Sequence, residues 1–166
     1  MNIKRILKHL SASQAAMRRM FPRASLKRIE QAIAEVEQTH AGQIRFAVES
    51  ALDIKPLFAG QTARERSIEV FSHLRVWDTE QNNGVLIYLL LADRDVEIIA
   101  DRGVHAKLGQ ATWEVVCQEM EAAFRQGKFE EGVIAGIRSV GAHLARHYPH
   151  TGTDKINELS DNPVLI

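Results

Sequence analysis

The sequence predicts an α/β fold, a three-layer α/β/α sandwich on a mixed central sheet. Three observations carry that prediction. Val85–Ala92 (VLIYLLLA) is apolar at every position, as a strand covered on both faces must be. It is followed by a charged turn and a second apolar run, Val96–Ala100, which reads as a hairpin. Around this hairpin lie segments whose apolar residues recur at helical spacing, giving the order helix-strand-helix-strand-strand-helix-helix.

The elements follow in chain order. Ile3, Ile6, Leu7 and Leu10 fall at helical spacing beside Lys4 and Lys8, so residues 1–21 read as a basic helical extension. Pro22 opens a helix running to about His40, with Ser25 as its N-cap and Leu26, Ile29, Ile33 and Val36 on one face. Gly42 stops it. Gln43–Ser50 alternates, Ile44, Phe46 and Val48 against Arg45, Ala47 and Glu49, which predicts a half-buried or edge-proximal strand. Lys55–Gly60, with Pro56, reads as a loop. Thr62 and Glu65 form a capping box, and the helix it opens continues through Val70, Phe71, Leu74 and Trp77. Asp78–Gly84 is a polar loop leading into the hairpin, and Asp101-Arg102-Gly103 ends it. Helices over Thr112–Gln126 and Phe129–Tyr148 follow, separated by Gly127, and Pro149 closes the ordered part. These features divide the chain into the extension 1–21, a domain 22–149 and a loosely attached tail 150–166.

Composition bounds the rest. With 45% hydrophobic and 25% charged residues over 166 positions, disorder, collagen and coiled coil are excluded. One cysteine, Cys117, forms no internal bridge and reads as an inert thiol in a reducing compartment. The longest uncharged apolar run has eight residues, against about 20 for a membrane span, and no leader pattern precedes it. A soluble, cytoplasmic protein is the expectation. The formal charge of +0 hides an asymmetry: residues 1–30 hold eight Lys or Arg against Glu30, and the remainder carries the compensating −7. That basic segment suits an anionic surface. Nucleic acid is not the expected partner, because Phe21 is its only aromatic residue and no recognition motif is present.

Asn83-Gly84 leading into VLIYLLL, the charged turn, VEIIADRGV and the later FRQGKFEEGVIAGIRSVGAHLARHYP together resemble the TPM domain family, over about Ile29 to Pro149. The resemblance implies an α/β/α sandwich on a mixed sheet. It also implies two functional roles: an accessory protein beside a membrane-linked complex, binding a divalent cation, or a metal-dependent acid phosphatase acting on phosphomonoesters. The sequence departs from the family pattern at several points. Asn82-Asn83-Gly84 stands where the family has Asp-Asn-Gly, Asp101-Arg102-Gly103 stands for Gly-x-Gly, and His105 and Gln110 replace acidic residues.

The candidate site lies at the loops flanking the hairpin. In an antiparallel pair, the start of one strand and the end of the next share one edge of the sheet. Asp78, Glu80, Asn82 and Asn83 therefore neighbour Asp101 and His105. Asp78, Asn82, Asn83 and Asp101 are candidate oxygen ligands for Ca²⁺ or Mg²⁺, and Arg102 and His105 candidate anion-binding residues. Under the phosphatase reading Asp101 is the nucleophile, Arg102 the clamp and His105 the acid. The competing structural reading has Asp78 capping a junction, Asn82-Asn83 shaping a turn and Asp101 pairing with Arg102 or water. His143, His147 and His150 lack the Glu of a zincin and suit a helix C-terminus. Gly132 and Gly136 predict close packing of the last helix on the sheet, and Trp77 and Trp113 read as core or partly buried anchors.

Overall fold

A computed structural model describes residues 3–150 and 156–166. Along the chain lie α1 (Ile3–Ser11), α2 (Gln14–Met20), α3 (Arg23–Glu37), β1 (Gln43–Glu49), α4 (Ile54–Phe58), α5 (Ala63–His73), β2 (Gly84–Leu90), β3 (Asp95–Ala100), α6 (Arg102–Arg125), α7 (Phe129–His147) and β4 (Val164–Leu165). The sheet has the order β3-β2-β1-β4. β1 runs parallel to both β2 and β4, and β3 is antiparallel to β2.

Period-two alternation sorts the strands' side chains between two cores. Ile44, Phe46, Val48, Val85, Ile87, Leu89, Val96 and Ile98 face a layer built by α2, α3, α6 and α7. Ala47, Leu86, Tyr88, Leu90 and Ile99 face Leu57 of α4, Ala63 and Val70 of α5, Val76 and Leu159. Every residue of β2 is buried, as its unbroken apolar run requires. The α/β/α sandwich on a mixed sheet is the architecture of the molecule.

Several local expectations are corrected. β1 is an interior strand, because the chain returns over residues 156–166 and adds β4 to its outer side. The tail is therefore not loosely attached there: Leu159 is buried, and Gln43 Oε1 accepts the N–H groups of Glu158 and Leu159. Residues 151–155 of that tail lie outside the described residues. Part of the loop containing Pro56 is the short helix α4. Ser25 does not cap α3; it sits within the first turn and its hydroxyl donates to Glu130. Helix α5 ends at His73, so Val76 takes the inward position and Trp77 is exposed, while Trp113 is buried. Helix α6 starts ten residues earlier than expected, at Arg102, and kinks at Gly109, where φ is +70°. The glycines of α7 pack on neighbouring helices instead of the sheet, Gly132 and Gly136 beside Phe124 and Met120 of α6 and Gly141 beside Val36 of α3.

Candidate functional site

The rim expected from hairpin geometry exists. Val85 pairs with Ala100, and one step further out the Asp101 N–H donates to the Gly84 carbonyl at 2.9 Å. Gly84 tolerates no side chain, since a Cβ would lie 2.0 Å from the Val76 carbonyl oxygen. The loop before β2 is thus pressed against the turn after α5.

Asn82 sits in the left-handed region at φ +50°, which Asn tolerates better than most residues. That conformation aims its groups at the start of α6. Its carbonyl accepts from Gly103 N–H at 3.1 Å, and its Oδ1 accepts from Arg102 Nε at 2.9 Å. Gly103 is needed for this approach, because a Cβ there would meet the Asn82 carbonyl at 2.6 Å, the Gln81 carbonyl at 3.1 Å and the Tyr148 hydroxyl at 3.2 Å.

Asn83 and Asp101 are both buried. Asn83 ties the rim to the connection between α3 and β1, where its Nδ2 donates to the Ala41 carbonyl at 2.8 Å, while its N–H donates to Thr79 Oγ1 within its own loop at 3.0 Å. Asp101 caps α6, with Oδ1 accepting from Arg102 N–H at 2.7 Å and its carbonyl from His105 N–H at 2.8 Å. One oxygen of each side chain, Asn83 Oδ1 and Asp101 Oδ2, is buried without a hydrogen-bond partner among the described residues. The Tyr148 hydroxyl titrates above its ordinary range, through burial first and then the Asp101 charge. Beside the rim a cavity of about 370 Å³ is lined by Gln81, Gly103, Lys107, His147, Tyr148 and Pro149. Lys107 Nζ stands 3.9 Å above the Tyr148 ring and donates to the His147 carbonyl at 3.2 Å.

The structure thus brings together Asn82, Asn83, Asp101 and Arg102. Asp78 and Glu80 are exposed, and no hydrogen bond among the described residues joins either to Asp101. Glu80 instead donates its N–H to the Glu158 carboxylate at 2.8 Å. His105 is exposed on the first turn of α6, and its ring has no hydrogen-bond partner among the described residues. Tyr148, Lys107 and Gly103 complete the rim and were not among the expected site residues. The only sequence signal for Tyr148 is an aromatic residue placed just before the closing Pro149.

The donor set tests the cation idea. Among the described residues no group of three or more His, Cys, Asp or Glu side chains is arranged to hold a metal. The unpaired atoms at the rim are both oxygens, a carboxylate and an amide, and the carbonyls of Gln81 and Asn82 line the approach to Gly103. Oxygen donors of this kind suit a hard cation. With one carboxylate, the fit is to a weak site, because affinity in oxygen cages rises with ligand charge.

Other candidates resolve into structure. His143 packs edge-on against Trp113 with ring centroids 5.9 Å apart, and burial with nearby Arg146 and His147 lowers its pKa. The His150 ring meets the Glu37 carbonyl at 3.3 Å. Burial pushes the Cys117 thiol up to about 12, aided by Glu97 and Glu121, which leaves it unreactive at neutral pH. On the opposite face of the sheet is an ionic cluster absent from the sequence reading. Buried Glu49 accepts from Arg66 Nε at 2.9 Å, from Arg66 Nη2 at 3.1 Å and from Tyr88 Oη at 2.7 Å. The Glu49 bonds raise Arg66, and burial raises Tyr88, each beyond its ordinary range. Both Glu49 oxygens are occupied, and the cluster fastens α5 to the sheet.

Among the described residues no helix is long and apolar enough to cross a membrane. No curated protein matches the chain. Among solved structures, the BA42 protein of the psychrophilic bacterium Bizionia argentinensis superposes with a TM-score of 0.74 at 29% identity, covering 86% of this chain and 92% of that one. The N-terminal domain of a P. gingivalis protein shares the fold, with a TM-score of 0.60 at 19% identity over 78% of this chain and 81% of that one. The family model of the TPM domain matches residues 16–143, from α2 into the last turns of α7. Strands β1 to β3, the loops flanking the hairpin and helices α3 to α6 all fall within that match, and the chain belongs to the TPM domain family.

Proposed function

We propose that this TPM domain is a binding module, cytoplasmic in location, that takes one divalent cation at the rim and serves as an accessory partner of a membrane-linked assembly. The observation that carries the cation part is Asp101 Oδ2, buried and without a partner among the described residues. An uncompensated carboxylate oxygen out of water is costly, and a cation is the simplest compensation. Asp101 Oδ2 and Asn83 Oδ1 would hold Ca²⁺ or Mg²⁺, helped by the carbonyls of Gln81 and Asn82. The bound ion would neutralise Asp101 and offer its remaining coordination positions to oxygen groups of a partner. Asn82 and Arg102 shape the rim through their mutual bond, and Gly103 keeps the approach open.

The geometry favours binding over phosphoryl transfer. Asp101 Oδ1 is spent on capping α6, Arg102 Nε is spent on Asn82, and exposed His105 has no partner to orient it among the described residues. A phosphatase needs those three groups free to converge on one phosphorus atom.

Thermal unfolding with CaCl₂ or MgCl₂ against chelator tests the reading. Binding to the native state alone raises stability by about 2.7 kcal/mol at one hundred times Kd. Asp101→Asn keeps the capping oxygen but removes the charge. Its melting temperature without cation should match or exceed the wild type, and the cation response should vanish. A flat response of the wild type to both ions removes the cation from this function.

A further inference from the structure

We propose that α1 docks the protein onto an anionic lipid bilayer. This deepens the membrane-linked part of the proposed function, and rests on it only in that part. One side of α1 is fastened to the body. Arg5 Nε bonds Asp93 at 2.9 Å and Arg5 Nη2 the Gln61 carbonyl at 2.8 Å. Buried His9 accepts the Leu52 N–H at Nδ1, at 3.0 Å, and Ile6 packs against the second core. The other side is bare: Ile3, Leu7 and Leu10 are 65%, 61% and 59% exposed.

Their spacing of four and three residues places these side chains in one stripe. Lys4 and Lys8, both exposed, lie along its flank. An apolar stripe edged by lysines on a helix held in fixed orientation is the pattern of an interfacial membrane helix. Behind α1 a groove of about 510 Å³ opens between α1, α2 and the carboxyl ends of β1 and β2. Lys8, Ser11, Met20, Ser50, Leu91 and Arg94 contribute to its walls. Two cations and three serine hydroxyls, Ser13 included, over an apolar base suit a phosphate headgroup with the start of its acyl chain.

Charge complementarity selects the occupant. Helix α1 itself carries Lys4, Arg5 and Lys8 and no acidic residue, so a negative surface attracts this helix and the lysines beside its apolar stripe orient the approach. A second copy would meet α1 through the same patch, setting lysines against lysines. An anionic bilayer satisfies the stripe and the lysines together.

The test is co-sedimentation of the full chain with vesicles of phosphatidylcholine alone and of phosphatidylcholine mixed with phosphatidylglycerol. The mixed vesicles should bind about tenfold more tightly or better, and the preference should fall as salt rises. The Leu7→Ser/Leu10→Ser double variant should lose roughly tenfold in binding with an unchanged melting temperature, since both side chains are exposed. Lys4→Glu/Lys8→Glu should abolish the anionic preference. Asp101→Asn should bind vesicles as the wild type does, which separates this result from the cation experiment. Equal binding to both vesicle types, or no effect of the leucine pair, overturns the proposal. A concentration-dependent dimer broken by the leucine pair, with no vesicle binding, also overturns it.

Discussion

Asp95 opens β3 within a crowd of carboxylates, and its own carboxyl is pushed up to about 6. Burial is the main cause, with Glu97, Glu121 and Asp93 adding repulsion and Arg5 opposing. The unfolded chain titrates this group near 3.8. A raised carboxyl binds its proton more tightly when folded, so the fold gains stability as pH falls from about 6 towards 3.8 and lacks that gain above. Asp95→Asn removes the charge at every pH. The variant should melt higher than the wild type at pH 7 to 8, with the difference shrinking as pH falls from about 6 towards 4 and levelling off below, measured by thermal unfolding from pH 8 to 3. Residue identities at the rim were partly legible in the same local way. The meeting of Asn82 with the Asp101-Arg102-Gly103 turn follows from antiparallel pairing alone. Tyr148 and Lys107 were not legible, because they reach the rim through the docking of α7 and the early start of α6, which no local spacing encodes.

Helix α7 shows what close packing requires. Gly141 faces Val36 of α3, where a new Cβ would lie 2.8 Å from the Val36 Cβ, an atom fixed to its own backbone. Alanine would gain about 1 kcal/mol of helix propensity, yet overpacking of this kind costs about 1–3 kcal/mol. Gly141→Ala should therefore be net destabilising by roughly 1 kcal/mol in urea unfolding, and Val36→Ala in the same chain should recover part of the loss. The glycine spacing was visible in the sequence, but its partner was not: the pattern says that something approaches closely, and only the tertiary arrangement says it is another helix. The hairpin was legible because an apolar run too short for a membrane span, bounded by turn residues, has few other homes. Trp77 misled because helical periodicity continues past His73, while the backbone turns at Arg75, where φ is +53°. Glu49 was assigned to the polar side of β1; that this side lies under α5 and becomes an ionic core could not be read from alternation.

For the whole molecule, the two ends of the sheet present different surfaces. The rim of Asn82, Asn83 and Asp101 lies at the amino end of β2, and the α1 groove at the carboxyl ends of β1 and β2. Under the proposed reading, a lipid surface on one side leaves the rim facing away, free to meet a partner. The C-terminal return completes the sheet. A chain ending at residue 155 loses β4 and the burial of Leu159, worth about 2 kcal/mol. Its melting temperature should fall by roughly 4–8 °C, and sedimentation should show concentration-dependent association as bare β1 edges pair. The sequence offered no sign of β4, since two residues after a polar stretch carry no periodicity.

Because the outer flank of β1 is closed by residues far downstream, every other strand can be in place while that flank still waits for its neighbour. During translation this interval lasts until Val164 and Leu165 have emerged from the ribosome, and a nascent chain alongside could supply the missing strand first. Crowded polysomes thus favour the exchange of β4 between sibling chains.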